Sequence, residues 1–170
     1  MTLDLIHVSN SLREECGMDV ALQYLWILAP DEVRWTAIHH SLARLHDVGV
    51  FRDDVASALD LYARRIRGDA PLPHEWLSLH TPWRLEESAW EESDAWTARA
   101  VVSAVAARDN DAAAALSYSR AVACARASIA RRYSSPAAAT AAALAEQSAQ
   151  YDDLTRALEA SCSLPSTGSL

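Results

Sequence analysis

The sequence predicts an all-α fold, a single-domain bundle of about six to seven helices, on three observations. Thirty-four of the 170 residues are Ala, the strongest helix former, and only four are Gly. The single Phe, Phe51, and the scarcity of β-branched runs leave little from which to build a sheet. Apolar residues recur every three or four positions between segments punctuated by Gly, Pro and Asp. A chain of this length with 51% apolar residues buries roughly 70% of its unfolded surface without disulfide support. One helical domain is expected over 1–162, with 163–170 as a flexible tail.

The elements follow in order. A first helix over 3–15 starts behind Thr2, carries Leu5, Val8 and Leu12 on one face and stops at Gly17. A second, opened by Asp19 and closed before Pro30, is apolar on nearly every side and is expected at the centre of the bundle. Asp31 caps a third, with Trp35, Ile38, Leu42 and Leu45 as its stripe and Gly49 at its end. Asp53 or Asp54 opens a fourth, in which Val55, Leu59, Tyr62 and Ile66 form one stripe and Arg64, Arg65 and Arg67 gather in the last turn before Gly68. Pro71, Pro73 and Pro82 break the pattern over 68–85, and the interleaved Trp76, Leu77, Leu79 and Trp83 make this a connector that packs. A fifth helix, with Glu86 and Glu87 in its first turn, reaches about Arg108; Trp90, Thr97, Val101 and Ala104 lie near one line with Trp96 beside them. Asp109, Asn110 and Asp111 form a turn into a sixth helix over 112–132. A seventh starts at Pro136 behind Ser135, runs to about Cys162 and takes its larger core residues from Leu144, Tyr151, Leu154 and Leu158. The predicted core is Leu22, Leu25, Trp26, Leu28, Ile38, Leu42 and Leu59.

Charge and composition exclude several functions. A net charge of −8 opposes a phosphate backbone and makes nucleic-acid binding unfavourable. The longest apolar stretch, 20–30, is too short for the roughly 30 Å hydrocarbon layer of a membrane. No export signal is apparent at the start, so the cytoplasm is the expected location. Cys16, Cys124 and Cys162 are read as free, buried thiols. None of the six His forms a His-x-x-x-His or Glu-x-x-His pair; His39 and His46 lie two helical turns apart, and Glu14 or Glu15 would have to join them from another helix. No metal and no cofactor is expected.

Arg34-Trp-Thr-Ala-Ile-His39 resembles the Arg-x4-His motif of HEPN-type ribonucleases, which implies metal-independent RNA cleavage by Arg34 and His39. With 15 Arg, six His and three permitted spacings, about one or two such pairs arise by chance, and Arg34–His40 and Arg67–His74 are further matches. Trp35 also stands where that family carries a polar residue, so this reading ranks second. The simpler expectation is an exposed Arg34 and a His39 at the edge of the core. The stretch 164–168 spells the sortase pattern Leu-Pro-x-Thr-Gly, but only Ser169 and Leu170 follow, so it reads as a chance match or a tag.

Charge is polarised along the second half. Residues 86–111 hold seven acids against two Arg, whereas 112–145 hold Arg120, Arg126, Arg131 and Arg132 and no acid. Either the two neighbouring helices satisfy one another, or Glu86, Glu87, Trp90, Glu91 and Asp94 present an acidic, aromatic-anchored face to a basic partner.

Leu12 to Cys16, Val20-Ala21, the turn Pro30-Asp31, Ala37-Ile38 and Gly49 resemble the opening of a group of Ala-rich, all-helical bacterial immunity proteins. The ending Ala145-Glu-Gln-Ser-Ala-Gln150, followed by Leu154 and Leu158, is similar too. The resemblance implies a non-catalytic protein that neutralises a toxin by tight binding. The expected partner is therefore a protein, either a toxin or a second copy of this chain.

Overall fold

The computed structural model describes residues 1–48, 52–79 and 91–163. Among the described residues there are eight helices and no strand: α1 Thr2–Cys16, α2 Met18–Leu28, α3 Asp31–Val48, α4 Arg52–Ile66, α5 Pro73–Leu77, α6 Glu92–Ala106, α7 Ala112–Tyr133 and α8 Pro136–Ser163. The sequence-predicted start of the fifth helix, including Glu86, Glu87 and Trp90, lies outside the described residues, as do Trp83, Gly49 and 164–170. The connector supplies the eighth helix, a short turn with Pro73 at its first position. Trp76 and Leu79 from this connector are buried, as expected of a segment that packs.

Local chemistry sets the boundaries. Gly17, at φ 99°, separates α1 from α2 in a conformation that side chains rarely adopt. α4 ends in a Schellman turn: the Asp69 amide donates to the Arg64 carbonyl at 2.9 Å and the Gly68 amide to that of Arg65 at 3.0 Å, with Gly68 at φ 86°. The Asp111 carboxylate accepts from the Ala114 amide at 2.9 Å to cap α7, and Ser135 accepts from Ala138 at 3.2 Å to cap α8.

The hairpin of α6 and α7 packs beside α8, and α7 and α8 both touch α2 and α3. Small buried residues such as Ala100, Ala104, Ala115, Ala121 and Ala125 occupy the α6 and α7 sides of this packing. Larger side chains fill the space between α3, α4 and the hairpin. Trp26 meets Tyr118 edge to face at 6.1 Å, and Tyr62 meets Trp76 in the same way at 5.1 Å.

The expected core holds for Leu22, Leu25, Trp26, Ile38 and Leu42, all 3% exposed or less. Leu28 is 50% exposed and Leu59 is only partly buried. Val20 and Ile27 are also exposed, so α2 has an outer face although that face is apolar. Leu144 lies outside the core as well, while Tyr151, Leu154 and Leu158 are buried. The cysteines are unpaired, yet Cys16 and Cys162 are exposed and Cys124 is half-buried. Both exposed thiols sit at the last turns of helices, where packing on neighbours runs out. Among the described residues no helix is long and apolar enough to cross a membrane.

Candidate partner-binding site

Arg34, expected at the surface, is 3% exposed. Its Nη1 donates to the carbonyls of Trp26 at 3.1 Å and Ile27 at 3.4 Å, and its Nη2 to Asp31 Oδ1 at 2.6 Å and Asn110 Oδ1. The guanidinium thus closes the C-terminal end of α2, where Pro30 has turned the chain and the last carbonyls lack amide partners. His39 is half-buried one turn later on α3, and burial, aided by the neighbouring His40, holds its pKa below the usual value. All four of Arg34's bonds are directed at helix ends and loops of the scaffold.

The interior holds a second polar feature that sequence reasoning missed. Glu146, at 0% exposure, accepts five hydrogen bonds. They come from Ser41 Oγ at 2.9 Å, Arg44 Nε at 3.0 Å and Nη2 at 3.1 Å, Arg126 Nη1 at 2.8 Å and Gln150 Nε2 at 3.0 Å. Burial opposes the charge on Glu146, but the bonds from Arg44 and Arg126 outweigh it and hold the carboxyl below its ordinary pKa. Arg44 also reaches Asp153 at 2.7 Å, and these carboxylates raise its pKa against the opposing effect of burial. Gln150 Oε1 accepts from Ser119 at 2.6 Å and from the Trp26 indole at 3.3 Å. The network joins α2, α3, α7 and α8, and every polar atom of Glu146 and Gln150 has a protein partner.

The described acids at the start of α6, Glu91, Glu92 and Asp94, lie beside arginines of α7. Arg131 meets Glu92 at 3.2 Å, and Arg132 lies 3.7 Å from both Glu91 and Asp94. These contacts place the end of α7 beside the start of α6, so the two helices run antiparallel. Glu91 is exposed and Asp94 half-buried, and neither reaches the Glu146 network.

Further along the same two helices, Trp96, Arg99 and Val102 of α6 face Ser117, Arg120 and Ala121 of α7 across a concavity of about 400 Å³. The Arg99 guanidinium lies over the Trp96 ring, 4.9 Å from its centroid. Trp96 is half-buried, whereas Arg99 and Arg120 are exposed. The lining contains no carboxylate, and neither arginine makes an ion pair with a described residue. Between α4 and α5 the charges of the concavity are matched, with Arg64 2.6 Å from Glu75 and 3.8 Å from Asp60. The groove of about 300 Å³ between α3 and α8 is floored by Ala157 and Ala160 and contains no aromatic residue.

Among the described residues no three His, Cys, Asp or Glu side chains are grouped to hold a metal ion. Trp96 was visible in the sequence as a residue beside the α6 stripe. Its partnership with Arg99 and Arg120 depends on helix pairing, and only the i, i+3 spacing of Trp96 and Arg99 hinted at it. No family model, no curated protein and no solved structure matches the chain.

Proposed function

We propose that this chain is a non-catalytic protein-interaction domain of the immunity type, which neutralises a toxin by occupying it, and that it docks through the groove between α6 and α7. The observation that carries this reading is the pairing of a half-buried Trp96 with two exposed arginines in one concavity. Tryptophan and arginine are the residues that most often dominate interface energies, since each offers a large contact area together with a polar edge. The buried polar groups favour the same reading, because the Arg34 and Glu146 bonds serve helix ends and helix pairing. The groove is preferred to the acidic start of α6, because Glu91 and Asp94 lie beside Arg132 there.

The test is site-directed photocrosslinking in the native host, with a benzoylphenylalanine placed at Val102 or Ser117 and, as a control, at Ser57 on α4. The expected result is one protein crosslinked from the groove positions and not from Ser57. That protein should inhibit growth when expressed alone, and the wild-type chain, but not its Trp96→Ala variant, should restore growth. Equal crosslinking from Ser57, or full protection by a folded Trp96→Ala variant, overturns the groove as the docking site. RNA cleavage that is lost in both Arg34→Ala and His39→Ala with the fold intact would replace the binding reading with the ribonuclease one.

A further inference from the structure

Resting on the reading of this groove as the docking site, we infer that its occupant is an acidic segment of the partner protein, with carboxylates on Arg99 and Arg120 and an apolar side chain against Trp96. Two like charges line one concavity that holds no carboxylate among its described residues, in a chain with 23 acidic residues. Several arginines of this fold are matched by acids: Arg44 and Arg126 by Glu146, Arg64 by Glu75, and Arg131 and Arg132 by the start of α6. The acids nearest along α6 are turned to Arg131 and Arg132 rather than to Arg99 and Arg120. Among the described residues no acid forms an ion pair with either arginine, and a carboxylate-bearing ligand would supply one.

The chemistry of the groove narrows the occupant. A guanidinium stacked on an indole keeps its planar set of N–H donors available, and that set fits a carboxylate with two parallel bonds. Trp96, Val102 and Ala121 add apolar surface between the charges, which suits a peptide carrying an aliphatic or aromatic residue beside its acids. A long polyanion is disfavoured, since the remainder of a chain of net charge −8 repels it. A short acidic segment can meet Arg99 and Arg120 while leaving Asp19, which lines the adjoining concavity with Arg120, to one side.

The probe is a phage-displayed library of random dodecapeptides, selected on the full chain and counter-selected on its Arg99→Gln/Arg120→Gln variant. The expected peptides are net negative, carry Leu, Phe or Trp beside Asp or Glu, and lose about tenfold or more in affinity for the double Gln variant, as befits loss of charge-assisted contacts. Replacing their acids by amides should weaken them equally, and Arg99→Lys/Arg120→Lys should restore part of the affinity. Peptides that need Trp96 but are neutral or basic and indifferent to the arginines overturn the acidic occupant while leaving the docking site intact. Peptides indifferent to Trp96→Ala as well overturn both. Failure to enrich any peptide overturns the inference, as does tighter arginine-dependent binding of a twelve-nucleotide oligothymidylate. Circular dichroism of each variant, the half-buried Trp96→Ala included, separates loss of binding from loss of fold.

Discussion

Removal of the Glu146 carboxylate tests the interior most directly. In Glu146→Ala the acceptor of five hydrogen bonds disappears from a site at 0% exposure. The Ser41 hydroxyl and the Gln150 amide are also fully buried, and a buried donor left without a partner costs about 1–3 kcal/mol. Gln150 still donates to the Ser119 carbonyl at 3.4 Å, which reduces that cost, whereas Ser41 keeps only the bond it accepts from the Tyr118 hydroxyl at 2.9 Å. Arg44 and Arg126 are 27% and 21% exposed, so their cationic heads recover part of their hydration. The balance is about 3–5 kcal/mol, the cost of removing one side of a buried ion pair. A domain of ordinary stability, roughly 5–15 kcal/mol, survives this but unfolds at much lower denaturant. Urea titration followed by far-ultraviolet circular dichroism at pH 7 should show a lowered midpoint with an unchanged slope. Because the partners are shared, Glu146→Ala and Arg126→Ala combined should cost less than the two separate losses, by about 0.5–3 kcal/mol. A loss below about 0.5 kcal/mol for Glu146→Ala, the level of a surface change, would refute the reasoning, as would strict additivity of the pair.

Further outcomes follow from the same geometry. Arg34→Ala strands the last carbonyls of α2 and should cost about 2–4 kcal/mol by urea titration, given about 1.5–3 kcal/mol for hydrogen bonds to a charged group; a neutral result means the guanidinium does not close that helix end. Leu25→Ala should cost about 2–5 kcal/mol and Leu28→Ala less than about 0.5 kcal/mol, because one is fully buried and the other half exposed, and equal losses would sink this account of α2. The Glu146 pKa is lowered on folding, so the unfolded chain takes up protons first as the pH falls. Its contribution is complete above about pH 4.5 and disappears as the pH drops through the folded value, and Glu146→Gln should flatten this acid limb of the thermal midpoint. In the folded protein Cys16 and Cys162 should react promptly with Ellman's reagent and Cys124 slowly, since burial first of all raises its thiol pKa; rapid reaction of all three contradicts that placement.

Helix ends were legible because their signals are local. Asp111, Ser135 with Pro136, and Gly68 each act on atoms within a turn of themselves, and each caps or stops its helix as its residue type requires. Burial was less legible. α2 reads as apolar all round, yet Val20, Ile27 and Leu28 face outward, because a folded chain keeps much of its apolar surface in water and periodicity does not say which apolar face is covered. Arg34 failed in the opposite direction. An arginine is ordinarily exposed, but the corner at Pro30 leaves α2 carbonyls needing donors, and the side chain that supplies them lies four residues beyond the corner. That pairing is short in sequence but depends on how α2 and α3 cross.

The Glu146 network had a trace in the sequence that apolar patterning conceals. Glu146, Gln150, Leu154 and Leu158 follow one another at intervals of four on a single ridge of α8, so two polar residues occupy the row that its leucines bury. Ser41 stands likewise between Ile38 and Leu42 on the inner side of α3. Polar residues in an apolar row stay there only when each finds a partner, and those partners come from α3, α7 and α8 together. Alanine faces have little relief, and sliding such helices by a turn changes the packing of methyl groups only slightly. The four bonds that reach Glu146 from α3 and α7 close in one alignment alone, since a displacement of one turn, about 5.4 Å, exceeds the reach of each of them. The same alignment that seats Glu146 between Arg44 and Arg126 brings Arg131 and Arg132 to the start of α6, and through the α6–α7 hairpin it sets Trp96 and Arg99 opposite Arg120.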